Sequence, residues 1–228
     1  MKSLGLGLII TAVAATGVIA TSVHQARRSA TVRLETNLPN LPGPVHIGTP
    51  QNVRSANVGR SAVSRPPFLA PAGTTNVALG KPVTTSSKPI LGRAGMITDG
   101  NKEAADRSCV ELAGGLQNVT IDLGAEHDVY AVLVWHDYKR PKTYFDVIVR
   151  TAEAPDFLTN VWTLFNNDHD NSAGLGAGTD RDYIETNDGE LIDAKGVKAR
   201  YVRLYSNGNN ANDLNHYIEV EVHGKPAK

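Results

Sequence analysis

Four short runs in the second half of this chain alternate apolar and polar residues with a period of two, and they leave few folds open. QNVTIDLG (117–124) puts Val119, Ile121 and Leu123 on one face. YFDVIVRT (144–151) does the same with Phe145, Val147 and Val149, and RYVRLYS (200–206) with Val202 and Leu204. YIEVEVHG (217–224) sets Ile218, Val220 and Val222 against Glu219, Glu221 and His223. A fifth run, DVYAVLVWH (128–136), is longer and nearly all apolar, as a central strand would be. Alternation of this kind marks strands with one buried face. Asn187-Asp188-Gly189, between YIET and ELID, reads as a hairpin turn. No helical period is sustained and no internal repeat is evident. Many strands joined by polar loops, with no βα alternation, predict an antiparallel β-sandwich from about residue 76 onward.

The front of the chain is of another kind. Lys2 is followed by an uncharged apolar run to Val23 with small residues after it. That is the pattern of a secretory signal, cleaved after Ala20 or after Ala26. The same run over residues 4–23 also suits a retained membrane anchor, since about 20 apolar residues span a bilayer. Either reading exports the rest, to the periplasm, the cell surface or the medium. Residues 27–73 hold Pro39, Pro42, Pro44, Pro50, Pro66, Pro67 and Pro71 among Ser, Asn, Gly and Thr, with Phe68 as the only aromatic. Such a stretch reads as a disordered linker, because it buries too little apolar surface to offset its ordering entropy.

Net charge is zero but unevenly placed. Residues 1–70 carry seven Lys and Arg against the single acid Glu35, which leaves 16 basic and 22 acidic residues in 71–228 out of 23 of each. A mildly acidic folded part offers no basic face for nucleic acid. The lone Cys109 permits no internal disulfide and has neither His nor Lys beside it in sequence, so it reads as a buried apolar side chain.

NVALGKPVTTSS (76–87), ITDGNK (97–102), QNVTIDLG (117–124), VWHDYKRPKTYFDVIV (134–149), KARYVRLYSNG (198–208) and HYIEVEVHG (216–224) follow one another in an order that resembles the discoidin, or coagulation-factor C-type, domain. Bacterial relatives of that domain are often carbohydrate-binding modules with a galactose-binding-like jelly roll. The resemblance covers about residues 75–225. It implies an all-β antiparallel jelly-roll β-sandwich at 74–226, behind the signal or anchor (1–26) and the linker (27–73). This chain departs from the family pattern in two ways. It cannot tie the domain ends with a disulfide, and Ala104 stands where a Thr commonly follows DGN, with no Trp before Trp135.

The resemblance also implies a structural calcium ion (Ca2+). Carried over residue by residue, its ligands are the carbonyls of Met96, Asn101, Ala104 and Ile218 and the carboxylates of Asp99 and Glu219. Hard oxygens of mixed kind suit calcium, and Gly100 permits the tight backbone that aims neighbouring carbonyls inward. The plain alternative is an Asx turn at Asp99 and a solvent-facing Glu219. A second acidic stretch, FNNDHDNSAGLGAGTD (165–180), spaces Asp168, Asp170 and Ser172 like the start of a calcium loop. Its Gly174 comes one position late and no Glu closes it, so it reads as a long polar loop.

In relatives the ligand surface lies in loops at one end of the sandwich. Here that implies ring contact from Tyr138, donors from His136 and Arg140, and hydroxyl selection by Asn207, Asn209 and Asn210. Trp135, Trp162 and Tyr144 are expected in the core, as large aromatics in strand patterns usually are. No GxSxG, HExxH, CxxC or phosphate-cradling loop is present. The expectation is an exported, non-catalytic module that binds glycan. Its rival is an adhesion or envelope-structural domain whose partner is a cell-surface protein.

Overall fold

The computed structural model describes residues 30–34, 66–105, 107–140 and 142–228. The signal or anchor segment and most of the linker lie outside them. The elements in chain order are β1 (Thr31–Arg33), β2 (Leu69–Pro71), β3 (Thr75–Asn76), β4 (Val83–Thr85), a 3-10 turn (Ala94–Thr98), β5 (Val110–Leu112), β6 (Gln117–His136), β7 (Ile148–Ala152), β8 (Trp162–Asn166), β9 (Glu190–Ser206) and β10 (Asn215–Pro226). All pairings are antiparallel.

Two long strands make the sandwich. The first part of β6, 117–122, pairs with the last part of β9 and with β4, while its second part, 127–136, pairs with the first part of β9 and with β10. The register breaks between Asp122 and His127, where Gly124 takes the left-handed φ of 85°. Both strands therefore pass from one layer to the other at the same level. β7 and β8 extend the first layer, and β3 and β5 join β10 in the second. Residues of both layers meet in one core: Val119, Ile121 and Leu204 from the first, Val132, Val134, Val220 and Val222 from the second. The fold is thus an all-β antiparallel sandwich. The runs at 117–124 and 128–136 are one continuous strand with a kink.

Three local departures from simple alternation shape the site. Asp146 has a positive φ of 49°, so β7 begins only at Ile148, with Val147 and Val149 inside and Phe145 outside at 41% exposure. A bulge between Tyr217 and Glu219 shifts the face of β10. Ile218 consequently leaves the main core and joins a second cluster on the outer face of the β10 layer, with Ala131, Leu133 and Trp135 of β6. The turn at 187–189 forms, with the Gly189 N–H donating to the Thr186 carbonyl at 3.1 Å, but no strand precedes it. The chain there instead sends the Glu185 N–H to the Lys142 carbonyl at 2.8 Å.

The second cluster is covered by the stretch that composition reads as linker. β1 pairs with β2, and Leu34 and Ala70 are buried against Leu133, Trp135 and Ile218, with Phe68 packed beside them. Residues 30–34 and 66–71 therefore pair with each other and pack on the sheet. Leu34, ahead of the first proline, and Phe68 and Ala70, between Pro67 and Pro71, find an apolar sheet face to bury against, which local composition does not reveal.

Candidate functional site

The 3-10 turn ends at Asp99, and Gly100 follows with a φ of 86°. This left-handed step aims the Gly100 N–H at Glu219 of β10, 3.2 Å from each carboxylate oxygen. Asp99 Oδ1 accepts the Asn101 N–H at 2.9 Å and Asn101 Oδ1 accepts the Glu103 N–H at 3.0 Å, so the loop is built from two Asx turns. Tyr138, just past β6, holds its far side. Its hydroxyl donates to the Lys102 carbonyl at 2.7 Å and accepts the Ala104 N–H at 3.3 Å.

Glu219 does not face solvent: it is fully buried. Burial pushes its carboxyl up to about 9; the Gly100 N–H and Lys102 pull against this, and the Asp99 and Glu221 charges add to it. Lys102 is already committed, its ammonium 2.6 Å from Glu221, which also meets His223 Nε2 at 2.9 Å. Among the described residues no cation touches Glu219. The bulge leaves Ile218 without a partner in the β6 register, beside that same carboxylate. A buried acid, the Asp99 charge near it and an unladdered backbone position are features that a hard divalent cation could use.

The loops 137–147, 167–189 and 207–214 gather at one end of the sandwich, where β6 ends and β10 begins. His136 lies beneath this surface, fully buried, with Nδ1 donating to Glu185 at 2.6 Å. Its ring stacks on Tyr144 at 4.4 Å and tilts against Tyr217 at 4.7 Å. The Tyr144 hydroxyl donates to His216 Nδ1 at 3.0 Å, and His216 Nε2 donates to Glu111 at 3.2 Å. Burial, aided by the Lys142 charge, holds the His216 imidazole below its ordinary value, against the pull of Asp137 and Glu111. Burial likewise pushes the Tyr144 phenol well up, so both rings are neutral partners. Lys142 pairs with Asp137 alongside.

Each residue expected to bind ligand can now be placed. His136 belongs to the buried network that stiffens the loops and does not reach the surface. Tyr138 is half-buried with its hydroxyl committed to the 102–104 loop. Arg140 is exposed. Asn207 Nδ2 donates to Asp146 at 2.8 Å; Asn209 Nδ2 donates to the Leu214 carbonyl at 2.8 Å, and its Oδ1 accepts the Ala211 N–H at 2.9 Å. Asn210 Oδ1 accepts the Thr143 N–H at 2.9 Å. The asparagines thus shape their own loop and pin it to residues 143–146. Between them stands Phe145, whose N–H donates to Gly208 at 3.2 Å and whose carbonyl accepts the Asn207 N–H at 2.9 Å. Its ring is exposed, and no alternation rule distinguished it from a core residue.

The 165–180 loop meets Asp146. Carboxylate oxygens of Asp146, Asp168 and Asp170 lie within 4.8 Å of one another, an acidic triad that could bind a metal. Each acid also has protein donors. Ser172 Oγ donates to Asp146 at 2.9 Å, the Ser172 N–H to Asp168 and to Asp170 at 3.0 Å, and the Ala173 N–H to Asp168 at 3.0 Å. Asp146 lies too far away in sequence for a spacing rule to find it.

No protein-family model matches the chain, and no curated protein matches it. Solved structures similar to it include the CBM32 of AlyQ in complex with 4,5-unsaturated mannuronic acid, at 21% identity over 62% of this chain and 92% of that one, TM-score 0.45. Another is the fucose binding module SpX-3 of Streptococcus pneumoniae, at 20% identity over 65% and 96%, TM-score 0.48. A third is a family 89 glycoside hydrolase of Clostridium perfringens, at 17% identity over 66% of this chain but 15% of that one, TM-score 0.49. At such identities ligand and activity have to be argued from this chain's own residues.

Proposed function

We propose that the protein is an exported, non-catalytic module that recognises carbohydrate through the loops at the 136–146 end, on a sandwich stabilised by calcium. The observation that carries this is Phe145. An exposed aromatic side chain stands on backbone held by two hydrogen bonds to the Asn207–Gly208 segment, with Asp146 and the Asn207 amide that donates to it alongside in the same loops. Pyranose rings present C–H faces and hydroxyls together, so an exposed ring flanked by polar groups suits them. Arg140 supplies an exposed donor on the same loop. Tyr138 is half-buried with its hydroxyl on the 102–104 loop, and the exposed ring offered to a sugar face is that of Phe145.

Calcium, held by the Met96, Asn101, Ala104 and Ile218 carbonyls and the Asp99 and Glu219 carboxylates, would supply the positive charge that buried Glu219 lacks. It would also clip the 96–104 loop to the last strand.

The test is a glycan array probed with the full chain and with Phe145→Ala and Arg140→Ala. Saturable binding to a defined sugar class, weakened at least about tenfold by Phe145→Ala, is expected. No binding across a broad panel, with a protein partner co-purifying regardless of added sugar, would replace this reading with the adhesion one.

A further inference from the structure

Trp162 was expected in the core, and the structure puts it outside: its side chain is 59% exposed. It opens β8, the last strand of the first layer, which turns inward only at Phe165 and Asn166. A large aromatic at the start of an edge strand has nothing to pack beneath when the chain before it is also exposed, as Leu158 is at 79%. Beside Trp162 runs a cleft of about 410 Å³, lined by Thr163 and Leu164 of β8 and by residues 193–197 of β9.

The far wall of the cleft is a built feature. Asp193 Oδ1 accepts the Lys195 N–H at 2.9 Å, and Lys195 and Gly196 both take left-handed φ, 53° and 78°. A Cβ on Gly196 would come within 3.0 Å of the Tyr130 ring. This kinked wall presents the Asp193 and Lys195 side chains, both exposed, across from the indole and the Thr163 hydroxyl. The Asx turn uses one Asp193 oxygen and leaves the other to accept. Among the described residues the Lys195 ammonium has no ion pair.

We propose that this cleft is a second carbohydrate subsite, separate from the loop end, for one pyranose unit of an uncharged oligosaccharide. The indole face covers the C–H face of the ring. Asp193 accepts from ring hydroxyls, and Lys195 and Thr163 donate to hydroxyl or ring oxygens. One acid and one base on the same wall cancel, which favours neutral sugars over uronates. The volume lies within the range of small-ligand sites.

The chain has two tryptophans, and the other, Trp135, is fully buried with its indole N–H on the Asn187 carbonyl at 2.9 Å. Acrylamide quenching and the two indole N–H resonances therefore report on Trp162 separately. The full chain is titrated with galactose, fucose, N-acetylglucosamine, chitotriose and cellotriose. A saturable shift of the Trp162 indole and of the Lys195 and Gly196 amides, with protection from acrylamide, is expected for at least one of them. Asp193→Asn, which keeps the turn acceptor, should weaken that response several-fold, and Phe145→Ala should leave it intact. Shifts confined to the 137–147 and 207–214 loops overturn the second subsite and leave the loop-end reading standing. Trp162 shifts that follow protein concentration instead of sugar overturn it in favour of a second copy of the chain. Silence at both places overturns both readings.

Discussion

Gly189 meets two requirements at one residue. Its φ of 66° is left-handed, and a Cβ there would sit 2.6 Å from the Trp135 ring. The indole lies against that turn, with its N–H on Asn187 and the Lys102 ammonium 5.1 Å from the ring. Gly189→Ala should therefore cost about 2–4 kcal/mol of unfolding free energy, from left-handed strain plus overpacking. Chemical denaturation of the variant beside the parent checks it; a change under about 0.5 kcal/mol would mean that the ring is free to move aside. His216 sets a different kind of test. Its folded-state value lies below the ordinary 6.5, through burial first and the Lys142 charge second, with Asp137 and Glu111 opposing. Above 6.5 both states are neutral and the residue adds no slope. As pH falls through that value the unfolded chain takes the proton first, so stability drops until the folded value is passed. Denaturation midpoints measured from about pH 7.5 down to about pH 5 should fall, and less so in His216→Gln.

At the scale of elements, β10 supplies two of the six candidate calcium donors, Ile218 and Glu219, and one irregularity sets them there. The bulge at Ile218 is invisible in YIEVEVHG, whose alternation is perfect on paper. Without the bulge Ile218 would share the face of Val220 and Val222; with it, Ile218 faces Trp135 instead. Strand positions were legible where alternation decides between two faces, as in 117–124 and 200–206. They were less so where both faces are covered, because period-two reasoning assumes that polar residues face water. Glu219, Glu221 and His223 are all buried. The DGN loop and its link to Glu219 were legible only through family resemblance; Asp146 carried no local signal, and for Phe145 and Trp162 the strand pattern pointed inward, since their exposure depends on where a strand starts. If calcium occupies the loop, adding it about a hundredfold above its Kd should stabilise the fold by about 2.7 kcal/mol, or roughly 5–10 °C in Tm for a domain of this size. Chelator should reverse the gain, and Glu219→Gln should abolish it. A Tm unmoved by calcium in the parent would refute the site.

For the whole molecule, the packing of the sandwich reaches back beyond residue 74. Its second layer has a second apolar face, formed by Ala131, Leu133, Trp135 and Ile218, and the cover comes from residues on both sides of the 35–65 stretch. Leu34 donates its N–H to the Phe68 carbonyl at 2.9 Å, and Ala72 closes on Ala30 at 2.6 Å. The cover is therefore a paired unit in which each strand holds the other in place. Such a face, uncovered, is an apolar patch of the sort that drives association. Leu34→Ala should thus cost about 2 kcal/mol, an effect no residue of a solvated linker would show. The 74–228 fragment should lose more, and in a Trp162→Phe background its remaining Trp135 emission should become open to acrylamide. In the full chain with the same background it should stay protected. Equal Tm and equal quenching in the two would mean that β1 and β2 merely rest on the sheet, and the domain would then begin where the NVALGKPV run does.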